Sequence, residues 1–596
     1  MTKGAIYLPT SVDRPSKSQS KWPKWLFGAA ALAGTLFVLY PTASEILLQG
    51  SLSVTSRGHR GELCKQSVPR LPETFNTSTI WSDRRAIIDK LSGVVQIRTE
   101  TFDDMGLYGE DPRWDNFAKL HDFLEEHFPL VHTKLKVTKP GPGLALIYEW
   151  AGTDSSLKPL LFTAHQDTVP VLEASLDQWE QPPFSGHYDG TYVWGRGSSD
   201  TKSSLIAVLS ALEHLLASGY TPKRTVIAGF GSDEESGGPY GAILISKYLK
   251  EKYGDNSIAL LVDEGSGLVE SYGQAFGTPG VTEKGSANIE ITVETLGGHS
   301  SVPPEHTGIG LLALAIAEVE KHPYAPTLPT FSPIYGFLTC AASHAQGLSE
   351  YLRQEVFKAE DGNARALKDL PSEFIKVGFT GVKAGPGQGN VIQALMSTTQ
   401  ATDIVRGGVK VNALPEVVSA KINHRINVES NGAEVEAKLV ETLTPLAKTY
   451  NLTLTGPDGK DAVTGGKGRI SLSDGGRYGD PAPISPFDVS DPVWDVLAGT
   501  SRGVWASRRE ISPDGKLLDL EAGKDLVMAP FMSTGNTDTR YYWAFTDNIY
   551  RYRYQPMAGT FGAHTVNEHT NADDVVEMAR FYLSLVVNFD EAEGVL

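Results

Sequence analysis

Between residues 114 and 128 the apolar side chains Trp114, Phe117, Leu120, Phe123, Leu124 and Phe128 recur at steps of three and four. That spacing predicts a helix with one buried stripe. Short apolar runs of strand length follow at 157–164 (LKPLLFTA), 225–230 (TVIAGF) and 258–262 (IALLV), with a helical stripe of Leu205, Val208, Leu209, Leu212, Leu215 and Leu216 among them. Uniformly apolar strands that alternate with helices predict a parallel sheet covered on both faces. From Gly285 the period changes. Residues 287–295 (ANIEITVET) alternate apolar and polar, the pattern of a strand with one wet face, and a separate α+β unit then takes in a helix around 309–319, strands near 399–404 and 418–426, and a helix over 433–450. Residues 323–393 are poorly periodic and receive no fold assignment. The stretch 456–487 is rich in Gly, Pro and Asp and is expected to lead back to the first domain, which closes with an amphipathic helix over 572–588.

The uncharged run 25–40 (WLFGAAALAGTLFVLY) follows Lys3, Arg14, Lys17, Lys21 and Lys24. Basic flanks stay cytosolic and roughly 20 apolar residues cross a bilayer, so the expected topology is a basic cytosolic tail at 1–24, a signal anchor at 25–48 and a stalk at 49–80. A cleaved signal peptide ending near Ala43-Ser44 is the rival reading. The anchor reading makes the chain a single-pass type II membrane protein, attached to the membrane through this segment, with extracellular or secreted protein as the alternative. On either topology Asn76-Thr77-Ser78 and Asn451-Leu452-Thr453 fit N-glycosylation sequons.

A chain of 596 residues exceeds one core. A net charge of −18 argues against nucleic acid as a partner, because phosphates need a basic surface. Cys64 and Cys340 are the sole cysteines, too few for a thiolate metal cage, and the count favours two free thiols over one bridge. Any metal must therefore sit on His, Asp and Glu.

Those residue types follow the proposed strands. His165 and Asp167 stand two apart in FTAHQDTVP, an arrangement in which a carboxylate can orient a ligating imidazole. Asp200 in WGRGSSDTK precedes the Leu-rich helix, Glu234 and Glu235 share the turn GSDEESGG, Asp263 ends the run LVDEG, and His564 lies in GAHTVNEH. Adjacent glutamates diverge, so one can hold metal while its neighbour reaches a bound water. All four early elements are expected at carboxyl ends of neighbouring parallel strands, where open α/β sheets bind ligands. Two imidazoles with several carboxylates suit zinc or a similar divalent ion.

In this order, together with GGHSSVPP and KVNALPE, the motifs resemble the M20 metallopeptidases from about Trp81 to the C-terminus. The resemblance implies a parallel-rich mixed α/β sheet sandwiched by helices, at 81–284 and 476–596, interrupted by an α+β lid domain at 285–475 through which many members dimerise. It implies two Zn2+ per subunit, with Co2+ or Mn2+ as substitutes. Asp200 would bridge them, with His165 and Asp263 completing one ion and Glu235 and His564 the other. The His-x-x-x-Glu pattern favours His564 over His569 as ligand. Glu234 would be the general base, Asp167 would brace His165, and His299 of the lid would steady the oxyanion, in the neighbouring subunit's site of a homodimer. Asn412 would contact substrate, and Arg540 in NTDTRYY would clamp the substrate carboxylate.

The implied activity is release of a C-terminal amino acid from peptides with a free carboxylate, Gly-X peptides among them, at the vacuolar membrane or lumen. Hydrolysis of N-acyl amino acids is the alternative within the fold, and a non-catalytic binding relative is the alternative outside enzymes.

Overall fold

The computed structural model describes residues 63–379, 389–511, 516–519 and 525–592. Residues 25–48, on which the anchor expectation rested, lie outside them. Among the described residues no helix is long and apolar enough to cross a membrane, so the expected single-pass type II membrane protein is not supported by them.

A ten-stranded mixed sheet forms the first layer structure. At its centre Val226–Gly231, Leu160–His165, Leu260–Ser271 and Ile549–Pro556 lie side by side and parallel. Leu146–Trp150 extends it antiparallel at one side, and Gly280–Glu283 and Phe531–Ser533 extend it at the other. Alternate residues of a strand face opposite sides. Leu160, Phe162 and Ala164 thus enter one core with the helices Lys202–Ala217 and Ala572–Glu591, whereas Leu161 enters another with Ala242, Ile245 and Leu249 of the helix Ala242–Tyr253. Both faces are covered, as the apolar runs predict. Burial on both faces also explains why these strands carry no polar alternation.

The second sheet runs Thr399–Gly407, Val417–Ile426, Gly285–Glu294, Arg469–Gly479, Thr453–Thr455, Asp461–Val463. Its strand Gly285–Glu294 buries Ala287, Ile289, Ile291 and Val293 under the helices Gly308–Lys321 and Gly432–Thr449, a one-faced packing with its own core. Two sequence expectations change here. Arg469–Gly479 is a strand of this sheet rather than a connection, because Ile470 and Leu472 alternate inward against Ile291 and Val293. The unassigned stretch 323–393 is helical at Pro333–His344, Glu350–Glu360, Ala364–Val377 and Val391–Leu395, and it shares a core with Phe276, Val527 and Met532 of the first sheet's edge.

The expectation of free thiols is also corrected: Cys64 and Cys340 form a disulfide. Gln66 exchanges hydrogen bonds with the backbone of Met528, and His344 bonds the carbonyl of Cys64 at 2.8 Å. Those contacts bring the start of the described chain and the helix Pro333–His344 to one edge, a juxtaposition that a count of two cysteines does not encode.

Candidate metal centre

His165 ends its strand with the imidazole buried, 2% exposed. Its Nδ1 lies 3.0 Å from the carbonyl oxygen of Asp167 and 3.3 Å from Oδ1 of Asp167. The same carboxylate accepts the backbone N–H of Glu234 at 3.2 Å and of Glu235 at 3.1 Å, and the Thr101 hydroxyl at 2.7 Å. Asp167 therefore fixes both the imidazole and the Glu234-Glu235 turn, more than the bracing role expected of it.

Among the described residues three sets of donor atoms converge: His165 with Asp200 and Glu264, His165 with Glu234 and Glu235, and Asp200 with Glu235 and His564. Asp200 is shared, its Oδ1 3.3 Å from His165 Nε2 and its Oδ2 3.3 Å from His564 Nε2. His564 Nε2 also lies 3.1 Å from Glu235 Oε2, with the ring half-exposed at the rim. Asp200 comes from the loop before the helix Lys202–Ala217, after the short strand Tyr192–Trp194 of a separate four-stranded sheet, and not from the central sheet as expected. His569 is stacked between Trp194 and Phe561 with Nδ1 on the Asn567 carbonyl, and it belongs to none of the three sets.

Asp263 is the one expected ligand that the three donor sets do not contain. Glu264 Oε1 lies 3.3 Å from His165 Nε2, whereas Asp263 lines the same hollow outside the converging donors. The reason is a bulge. The ladder pairs Asp263 with Arg551 and next Ser266 with Tyr552, so Glu264 and Gly265 have no partners opposite. Gly265 sits at φ +146, where a Cβ would meet Arg551 at 2.6 Å. Bulges re-aim side chains, and this one delivers the longer neighbour. Asp263 and Glu264 also stand inside a twelve-residue strand rather than at its end.

The electrostatics match a cation site. Burial pushes the Glu234 carboxyl well above its usual range, and Glu264 adds to the shift. Burial likewise pushes Glu264 up to about 7 and raises Asp263. For Asp200 burial is outweighed by its bonds to His165 and His564, which hold it well below the usual range. Bonds to Asp200 and Glu235 push His564 up to about 10. Buried acids that favour their neutral form lack positive charge. Divalent ions would supply it, and four carboxylates with two imidazoles form a fitting donor set.

Asp538 also lines the hollow, its carboxyl pushed well above the usual range by burial and by Asp263. The signal the sequence carries for it is its acid type two residues before Arg540. Arg540 lies in the 3₁₀ turn Asp538–Tyr541 with its guanidinium 4.8 Å from the Tyr541 ring centre, and its Nε is buried without a hydrogen-bond partner among the described residues. His299 and Asn412 are brought to each other, and His299 belongs to none of the three donor sets. The strand pair Gly298–His299 and Ala413–Leu414 joins their segments, Ser300 N–H donates to the Asn412 carbonyl at 3.3 Å, and both side chains are exposed.

Residues 161–449 match the peptidase family M20/M25/M40. The chain is 38% identical to carboxypeptidase S of Saccharomyces cerevisiae over 89% of each chain. It is 28% identical to the N-fatty-acyl-amino acid synthase/hydrolase PM20D1 of Mus musculus over 94% of this chain and 96% of that one. The fold is similar to human carnosine dipeptidase 1, with a TM-score of 0.54 at 13% identity, covering 86% of this chain and 98% of that one.

Proposed function

The chain belongs to the peptidase family M20/M25/M40, and from that premise we propose that it is a two-metal hydrolase releasing the C-terminal amino acid from peptides. The observation that carries this reading is Asp200, whose two carboxylate oxygens face His165 and His564 separately. We assign His165, Asp200 and Glu264 to one ion and Asp200, Glu235 and His564 to the other, with zinc as the expected metal and Co2+ or Mn2+ as substitutes.

Divalent ions, when bound, would supply Lewis acidity and lower the pKa of water toward neutrality. Glu234, its proton affinity raised by burial, takes the proton of the attacking water and returns it to the leaving nitrogen. Asp167 keeps His165 and the Glu234-Glu235 turn in place during both transfers. Arg540 offers a planar bidentate donor to the substrate carboxylate; its Nε without a partner supports this role. Arg540→Ala is expected to raise KM for blocked dipeptides, including Gly-X, with a smaller change in kcat. If removing the substrate's own carboxylate still costs the variant as much as the wild type, the clamp is elsewhere.

A second reading, hydrolysis of N-acyl amino acids, is supported by the likeness to the acyl-amino acid enzyme. Both substrate classes present an amide beside a carboxylate, so side-by-side kcat/KM on blocked dipeptides and long-chain acyl amino acids decides between them. Faster turnover of the acyl amides would replace the peptide reading.

For His299 and Asn412 to act on substrate, we propose that a lid formed by the second sheet brings them to the site of a second copy in a homodimer. Exposed Leu296, Val302, Val409 and Val411 flank them, an apolar edge suited to such a contact. Sedimentation is expected to give a dimer; a monomer with full activity would remove His299 from the oxyanion role.

A further inference from the structure

Glu568 has a fully buried carboxylate that none of the roles above uses. Its Oε1 accepts three backbone N–H groups, from Gly197 at 3.0 Å, Ser199 at 2.9 Å and Asp200 at 3.0 Å. Its Oε2 accepts from Arg196 Nη1 at 2.6 Å. Its own carbonyl accepts the Gly195 N–H at 2.8 Å. One residue thus engages Gly195, Arg196, Gly197, Ser199 and Asp200, the whole loop that delivers the shared ligand.

The same residue stands four positions after His564. His564 sits in a turn closed by Thr565 N–H on the Gly562 carbonyl at 2.9 Å, and His564 and Asn567 both stand at φ +60. Asn567 is anchored in turn: its Oδ1 accepts Glu180 N–H at 2.6 Å and its Nδ2 donates to the Gln178 carbonyl at 3.2 Å. The ligand loop and the His564 turn, 368 residues apart measured from Asp200 to Glu568, therefore meet on one carboxylate.

We propose that Glu568 is a positioning residue of the metal centre, which fixes the distance between Asp200 and His564 so that Asp200 can serve both ions. The inference rests on the two-metal reading above. Charge-assisted bonds are the strong ones, and a cluster of backbone N–H groups is satisfied best by a full negative charge. Glu568→Gln keeps the shape and loses that charge. It also turns an amide N–H₂ toward groups that already donate. The loop that carries Asp200 then relaxes, and the shared ligand shifts against His564.

The deciding measurement is zinc affinity of the full chain, by titration against a chromophoric chelator. Outer partners of metal ligands typically change affinity about 10–100-fold, and Glu568→Gln is expected to bind zinc that much more weakly, with activity recovered at excess zinc. A role in fold stability alone would lower the melting temperature of the chelated protein and leave zinc affinity at the wild-type value; that result overturns the proposal. Should the Gln variant fail to fold, Glu568→Asp answers the same question, since the shorter carboxylate keeps its charge but falls short of the three amides. Weaker zinc binding by the Asp variant supports the proposal, and wild-type affinity overturns it. A wild-type chain that binds no zinc would instead defeat the two-metal reading itself.

Discussion

Glu234→Gln is expected to cut turnover by about 10²–10⁴-fold, the range that positioned acid–base catalysis contributes, while metal content stays at the wild-type level. The amide is close in size to the carboxylate, so the turn that Asp167 holds through the Glu234 and Glu235 N–H groups is kept. Only the proton acceptor is lost. Its strength comes from the site: burial, then Glu264, Asp538 and Glu235, raise the proton affinity of Glu234, and His165 opposes them. Metal analysis beside steady-state rates separates the two roles of the Glu-Glu pair, because Glu235 belongs to the His564 donor set. Near-normal turnover in this variant would place the base elsewhere, with Asp538 the next carboxyl to test.

Exhaustive chelation is expected to abolish activity and to lower the melting temperature, and Zn2+, Co2+ or Mn2+ to restore both. Asp200, Glu234, Glu235 and Glu264 converge on two imidazoles. Without cations they face one another in a poorly solvated hollow, which favours protonation of Glu234 and Glu264. A ligand that binds the folded state alone stabilises it by about 2.7 kcal/mol at 100 times its Kd, so the two readouts should move together on titration. Full activity after chelation, with metal confirmed absent, would remove the proposed chemistry entirely.

The features legible in the sequence are those whose signal is local. The strand Leu160–His165 and the helix Lys202–Ala217 were found because an apolar run and a stripe are properties of neighbouring residues. The helix Pro333–His344 is not legible because it is buried nearly all round, from Ile334 to Ala342, and so shows no stripe. Arg469–Gly479 was missed because Gly, Ser and Asp depress strand propensity, and its pairing along Gly285–Glu294 overrides that preference.

The donor set divides in the same way. His165, Asp200, Glu235 and His564 stand out as candidates by residue type, since metal chemistry restricts which side chains can serve, and the fold brings them into the converging sets. That Glu264 rather than Asp263 joins a converging set is not legible, because it depends on a bulge in the pairing opposite Arg551 and Tyr552. Nor was the bridge from Cys64 to Cys340, across 276 residues, or the grip of Glu568 on the loop of Asp200.

The amino-acid order by itself determined the kinds of element, the acids and imidazoles available for metal, and the family to which they belong. Which of two adjacent acids joins the converging donors, whether the two thiols meet, and what holds the shared carboxylate are decided only when distant segments pack together. Periodicity and chemical type are carried by each short stretch of chain, whereas direction and distance between side chains are fixed by partners far away along it.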